Sequence, residues 1–144
     1  MEWLDALEGQ VVGLDTAPII YLIEENPIYL KTVRSFFESV DQGKFQVVTS
    51  VITLLEVLVQ PLRQDNQGLA QEYRDILLNA AGVTTVLLSP EIAEEAAQLR
   101  AQHHLRTPDA IQMATAMRER PPIFLLTIPV CRLYQRCKCS YWTS

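Results

Sequence analysis

The stretch VVGLDTAPIIYLIEE, residues 11–25, indicates how this chain folds. Residues 11–14 form the short apolar run typical of a buried strand, and Asp15 ends that run. Thr16 and Pro18 suit the first turn of a helix, which the following apolar residues continue. The stretch therefore predicts a strand that leads directly into a helix, with a carboxylate at the junction.

The same alternation continues along the chain. Further strands are predicted at 45–50, 84–89 and 123–127, and helices at 16–25, 27–40, 51–60, 67–79, 90–104 and 107–116. The run 51–60 has the composition of either a strand or a helix, but Ser50 as a cap and Pro61 as a terminator favour a helix. Apolar strands that alternate with helices predict an α/β fold, in which helices cover both faces of a central parallel sheet.

Composition is that of a single globular domain. The chain has 144 residues, of which 49% are hydrophobic, and this suffices for one substantial core. No apolar run reaches the roughly 18 residues of a membrane span. The acidic start does not resemble a secretory signal, so we expect a cytoplasmic protein without membrane contact. The net charge of −5 means that any binding to nucleic acid requires metal ions or a local basic patch.

Three acidic residues each allow a local and a functional interpretation. Asp15 either caps the next helix or faces outward at the carboxyl edge of the sheet, where open α/β sheets bind ligands. Glu56 forms a narrow polar stripe with Thr53 and Gln60, which faces water or lines a cleft. Asp109, in the first turn of its helix, complements the helix dipole or ligates a metal.

Together the acids predict a metal site. Carboxylates that are brought together repel one another, so a cluster of them needs a cation. Ligands that are all oxygen select Mg²⁺ or Mn²⁺ over zinc. We therefore predict that Asp15, Glu56 and Asp109 hold one of these ions.

At these residues the chain resembles the PIN-domain nucleases, in particular the VapC-type toxins of bacterial toxin–antitoxin pairs. The matching segments are LDTAPIIYLIE (14–24), SVITLLEVLVQP (50–61), TPDAIQMATA (107–116) and FLLT (124–127). Their order and spacing agree from about residue 11 to residue 127. Four motifs in order are more specific than any one of them.

The resemblance implies a three-layer α/β/α fold and a metal-dependent endoribonuclease whose products carry a 5′-phosphate. On this basis Asp15, Glu56 and Asp109 fall on the family's acidic metal-binding positions. Thr16 falls on the small hydroxyl position beside the first acid, and Thr127 falls in the last motif, close to the substrate. Because family members cut RNA, usually dimerise and are blocked by an antitoxin, we expect RNA, a cognate antitoxin and a second copy of this chain as partners.

The chain departs from the family after Thr127. Family members usually continue with Asn and Asp, which supplies a fourth acid, whereas Ile128 and Pro129 follow here and no Asp or Glu occurs after Glu119. We predict a PIN-like nuclease domain over 1–128 and a divergent C-terminal tail over 129–144. The missing acid leaves an alternative open, namely a degenerate, non-catalytic PIN-like module that binds RNA or a protein partner.

The tail itself carries weaker signals. Cys131, Cys137 and Cys139 are odd in number and lack a standard zinc spacing, so we expect reduced thiols. Tyr141 and Trp142 either stack on bases or dock the tail onto the body or a partner.

Other α/β functions lack their motifs in this sequence. A dinucleotide-binding domain needs G-x-G-x-x-G after the first strand, and a Ser or Cys hydrolase needs a nucleophile elbow. A phosphotransfer receiver needs two acids beside the first strand and a lysine after the last, and the chain has neither.

Overall fold

The computed structural model describes residues 2–119, 124–126 and 133–135, and the side chains of residues 4–118. The strands are β1 (Val11–Leu14), β2 (Gln46–Ser50), β3 (Val83–Val86), β4 (Phe124–Leu126) and β5 (Leu133–Gln135). The helices are α1 (Glu2–Asp5), α2 (Thr16–Ile23), α3 (Leu30–Asp41), α4 (Val51–Arg63), α5 (Gln67–Arg74), α6 (Pro90–Gln102) and α7 (Thr107–Glu119). A π-helical turn, Asp75–Asn79, extends α5.

The strands form one sheet in the order β3-β2-β1-β4-β5. β1 pairs in parallel with β2 on one side and with β4 on the other, and β5 is antiparallel to β4. The chain therefore moves outward from β1 through β2 to β3 and then returns to the opposite side of β1. Open sheets bind ligands beyond the carboxyl ends of the strands at such a reversal of order. Asp15 follows β1 at this place.

Side chains that alternate along the strands pack against two different sets of helices. Val12 and Val47 belong to a core shared with α2, α3, α4 and α5, whereas Val48 packs with Ala116 of α7 on the other face. A further cluster joins α7 to α6 through residues such as Ile92 and Ala114. Helices thus cover both faces of the sheet, and the predicted three-layer α/β/α fold is confirmed.

The structure corrects several predicted boundaries. Pro61 does not end α4, which continues to Arg63. After the helix, Asn66 donates its backbone N–H to the Pro61 carbonyl. Proline lacks only its own N–H, and the following residues can still donate theirs, as Gln64 does to the Gln60 carbonyl. β3 ends at Val86 rather than at residue 89, because Ser89 instead accepts a hydrogen bond from Ile92 N–H and caps α6.

Two other elements differ from the prediction. The helix predicted from residue 27 begins at Leu30, since the Asn26 side chain accepts the backbone N–H groups of Ile28 and Tyr29 in a turn.

The sequence indicated no strand after residue 127, whereas the structure places β5 within the predicted tail. The tail residues singled out above, together with Thr127 and Pro129, lie outside the described residues. Among the described helices, none combines the length and the apolar character needed to cross a bilayer.

Candidate functional site

Asp15 stands at the carboxyl end of β1 and caps α2. Its backbone is extended, and its Oδ1 accepts the Thr16 backbone N–H at 2.7 Å. Leu14 immediately before it is buried, whereas Asp15 itself is half-buried. The two interpretations of this residue are therefore compatible, since one carboxylate oxygen serves the cap while the group stands at the sheet edge.

The environment of Asp15 disfavours its negative charge. Burial raises the pKa of Asp15, and the nearby Asp109 carboxylate raises it further. The hydrogen bond from Thr16 and the positive charge of Arg106 act in the opposite direction and lower the pKa. Since Asp15 and Asp109 influence one another, the first and the third predicted acids lie at the same edge of the molecule.

Glu56 reaches this edge from α4. Its Oε1 accepts a hydrogen bond from the Thr16 hydroxyl at 3.0 Å, so Thr16 joins the neighbourhood of the first acid to the second. The polar stripe on α4 is divided: Thr53 is fully buried, Glu56 is half-buried and Gln60 is exposed. Exposure therefore increases along the stripe from Thr53 to Gln60, and the Glu56 side chain is only partly reached by water.

Asp109 lies in the first turn of α7 and forms an ion pair with Arg106. The guanidinium donates from Nε to Oδ2 at 3.0 Å and from a terminal nitrogen to Oδ1 at 3.3 Å. The Arg106 side chain is otherwise exposed. Its pKa is raised, first by this hydrogen bond and by the charge of Asp109, and then by the charges of Glu56 and Asp15. All three predicted acids thus act on one guanidinium.

Sequence reasoning missed Arg106. Its separation of three residues from Asp109 is the spacing of side chains that can pair along a helix, and this was the available signal. In this acidic protein, the exposed guanidinium of Arg106 supplies a positive charge at this edge.

The described side chains contain no group of three His, Cys, Asp or Glu residues gathered tightly enough to hold one metal ion. The predicted acids share an edge and an electrostatic environment, but they do not form a closed ligand cage. Their donors are nevertheless all carboxylate oxygens, and Asp15 and Asp109 repel one another. Both properties fit a hard divalent cation such as Mg²⁺ or Mn²⁺. Such an ion would compete with Arg106 for Asp109.

A buried polar network, which sequence reasoning also missed, lies beneath this edge. The Gln112 side chain of α7 accepts the Ser50 backbone N–H at 3.2 Å and donates to the Thr53 hydroxyl. Thr53 and Thr49 are hydrogen-bonded at 2.9 Å, and the Thr49 hydroxyl donates to the Leu14 carbonyl at 2.9 Å. The network therefore connects β1, β2, α4 and α7 at their ends nearest the three acids.

Comparison with known proteins places this architecture in a family. The PIN domain matches residues 12–124, a span that contains all three acids. A chain of a toxin–antitoxin complex from Klebsiella pneumoniae is 26% identical, with a TM-score of 0.60; the match covers 81% of this chain and 87% of that one. A chain of VapBC2 from Rickettsia felis, solved bound to a DNA fragment from the promoter, has a TM-score of 0.62 over 79% of this chain and 86% of that one. At 17% identity the second likeness shows the fold alone. No curated protein gives a significant match.

Proposed function

The chain belongs to the PIN-domain family, and we propose that it is a metal-dependent endoribonuclease that acts as the toxin of a toxin–antitoxin pair. What supports the proposal is that Asp15, Glu56 and Asp109 all act on the guanidinium of Arg106 at one edge of the sheet, and that Thr16 links Asp15 to Glu56. The likeness to a chain of a toxin–antitoxin complex supports the biological role.

In the proposed mechanism, Asp15, Glu56 and Asp109 would hold one Mg²⁺ or Mn²⁺ through their carboxylate oxygens. When bound, such an ion lowers the pKa of a coordinated water and neutralises charge on a phosphate. Thr16 holds Glu56 in place through its hydroxyl and thereby sets the orientation of that carboxylate. Water must attack the scissile phosphate in line with the leaving oxygen, so the RNA backbone has to lie across this edge.

Arg106 has a separate part in this proposal. Its guanidinium is exposed and holds Asp109 at 3.0 Å, which is a contact that an RNA phosphate can replace. An acidic protein gains no affinity for RNA from its overall charge, so a positive group beside the acids is where the backbone would be bound. We therefore assign Arg106 to the binding of phosphate.

Protein partners are also part of the proposal. We propose a cognate antitoxin, because the Klebsiella pneumoniae relative was solved in a toxin–antitoxin complex.

We further propose a homodimer, supported by an exposed apolar stripe on α4 formed by Leu55, Val59 and Leu62. Neighbouring apolar side chains on one exposed helix face offer a surface that a second copy can cover. Light scattering on the purified chain would test the dimer, and Leu55→Glu should shift it toward monomer. Location in the cytoplasm remains a prediction.

A cleavage assay tests the proposed activity. The purified protein is incubated with a mixed tRNA and ribosomal RNA pool in Mg²⁺, in Mn²⁺ and in EDTA, alongside Asp15→Asn and the distant control Asp41→Asn. We expect discrete fragments with 5′-phosphate ends in either metal, none in EDTA, none from Asp15→Asn and a normal pattern from Asp41→Asn. Cleavage by Asp15→Asn at the wild-type rate would place the active site elsewhere.

One specific observation supports a second candidate, the non-catalytic PIN-like module that binds RNA or a protein. The sequence contains no acid after Glu119, whereas the family usually supplies a fourth acid after its last strand. A folded protein that produces no fragments and binds no Mn²⁺ would favour this module over the nuclease.

A further inference from the structure

Gln112 is an unusual residue for its position. It is 5% exposed on α7, in a helix whose neighbouring buried residues are mostly small or apolar, such as Ala110, Ile111 and Met113. A buried amide is costly unless its donors and acceptor find partners. An apolar side chain would fill the position of Gln112 without needing hydrogen-bond partners. Packing alone therefore does not explain why an amide stands here.

The two closer hydrogen bonds of Gln112 go to the start of α4. Its Oε1 accepts the backbone N–H of Ser50, the residue that caps α4, and its Nε2 donates to Thr53 in the first turn. These bonds tie α7 to α4 across 59 and 62 residues of sequence. Because hydrogen bonds require a particular distance and angle, they set the relative position of the two helices more narrowly than apolar contact does.

Thr49 continues the connection to the first strand. A hydroxyl has one proton, and the Thr49 proton is best placed toward the Leu14 carbonyl at 2.9 Å, which leaves Thr49 to accept from Thr53. The Gln112 side-chain oxygen also lies 3.4 Å from the Thr49 hydroxyl, and this longer contact competes only weakly for the same proton. The chain of bonds thus runs from Gln112 through Thr53 and Thr49 to Leu14.

Each predicted acid lies next to one end or branch of this chain. Asp15 directly follows Leu14, Glu56 is one helical turn after Thr53, and Asp109 is one helical turn before Gln112. The three carboxylates come from three separate elements, and the network is bonded to each of those elements at the point nearest its acid. Side chains three residues apart on a helix project from the same side, so displacement of Thr53 or Gln112 carries the acid with it.

From this geometry we infer that Gln112 is a positioning residue, which holds β1, α4 and α7 at the spacing that lets Asp15, Glu56 and Asp109 share one divalent cation. This inference rests on the proposed function, because it assigns a purpose to the network only if these acids bind metal. Residues that support metal ligands from outside the coordination sphere typically change metal affinity by about 10- to 100-fold when they are replaced.

The test replaces the amide and keeps the shape. Gln112→Met has a side chain of nearly the same length without hydrogen-bonding groups, and Thr53→Val breaks the same network from α4. Mn²⁺ affinity is measured by calorimetry on the full chain without RNA, and cleavage is measured with RNA in saturating metal. We expect both variants to bind Mn²⁺ at least about tenfold more weakly, with kcat reduced and the KM for RNA unchanged.

Thr115→Val is the matched control. Thr115 is also buried on α7, but its hydroxyl donates only to the Ile111 carbonyl within the same helix, at 2.7 Å. A change there should leave the affinity for Mn²⁺ unchanged, because this hydroxyl bonds no element other than α7. If Gln112→Met fails to fold, Thr53→Val carries the test.

The outcomes separate the two proposals. If folded Gln112→Met or Thr53→Val binds Mn²⁺ as the wild type does, the positioning role is refuted and the nuclease proposal is unaffected. A loss of affinity in Thr115→Val equal to that in Gln112→Met would also refute it, because general loosening of α7 would then explain both. If the wild type binds no Mn²⁺ and cuts no RNA, the proposed function fails, and this inference fails with it.

Discussion

Asp15→Asn should separate metal binding from folding. Asn and Asp are equally good helix caps, so the bond from Thr16 N–H to the side-chain oxygen, 2.7 Å long in the wild type, is retained. The substitution also removes a charge that burial and Asp109 disfavour, as the raised pKa of Asp15 indicates. In EDTA the variant should therefore be at least as stable as the wild type.

Added metal should reverse this order. A ligand at 100 times its Kd stabilises the folded state by about 2.7 kcal/mol. For a chain of 144 residues, about 2–4 °C of Tm correspond to each kcal/mol. The wild type should therefore gain roughly 5–11 °C when Mn²⁺ is added at that excess, and Asp15→Asn should gain little or nothing.

Asp15→Ala supplies the comparison, because alanine removes both the charge and the cap. Loss of a helix cap costs typically about 1 kcal/mol, so this variant should melt below Asp15→Asn in EDTA. The assay is thermal unfolding followed by circular dichroism, in EDTA and in Mn²⁺, with Asp41→Asn as a surface control that keeps the full metal response. An unchanged Mn²⁺ response in Asp15→Asn, or a loss in EDTA as large as that of Asp15→Ala, would refute the reasoning.

Three further predictions concern other parts of the molecule. Gly82 has a φ of +81°, and a Cβ there would stand 2.9 Å from Val40 Cγ1. The left-handed backbone alone costs alanine about 1–2 kcal/mol, so Gly82→Ala should lower the free energy of unfolding, measured in urea, by more than this. Wild-type stability in this variant would contradict the close contact with Val40. Burial and the carboxylate that is hydrogen-bonded to the Tyr73 hydroxyl raise the pKa of Tyr73. The neutral side chain therefore stabilises the fold below the ordinary tyrosine pKa of 10.0, and this stabilisation is lost as pH rises above that value. Urea titrations should show the advantage of wild type over Tyr73→Phe shrinking from pH 10 upward, and a constant difference would argue against it. Arg106→Gln should weaken RNA binding and reduce the slope of log K for RNA binding against log salt concentration by about 1. Arg34→Gln, the control, should leave that slope unchanged. Equal slopes for both variants would remove Arg106 from the RNA interface.

The sequence determined the elements and their order, because these depend on interactions between near neighbours. Buried strands show as apolar runs, and helix starts show as caps such as Ser50 and Ser89, whose side chains accept N–H groups two and three residues away. The boundaries that were wrong also have local causes, but weaker ones. The helix α4 continues two residues past Pro61, and the residues after Val86 are as apolar as a strand although they leave the sheet.

Tertiary structure decided how the acids are arranged. The pattern along the chain marked Asp15, Glu56 and Asp109 as three separate anomalies, each with an adequate local explanation. Only the fold shows that Thr16 bonds Glu56 and that Arg106 experiences all three charges.

The buried network belongs entirely to the tertiary structure. Gln112 and Thr49 carry no local signal, and Thr53 showed only as part of the polar stripe on α4. A polar residue in a helix or strand is usually solvated, and the partners here lie up to 63 residues away. Hydrophobic periodicity reports which face of an element is buried, but it does not report which distant polar group that face will meet. The amide of Gln112 acquires its partners only when α7 packs across the ends of β1 and β2, and so the sequence determined which elements form while their packing decided which side chains meet.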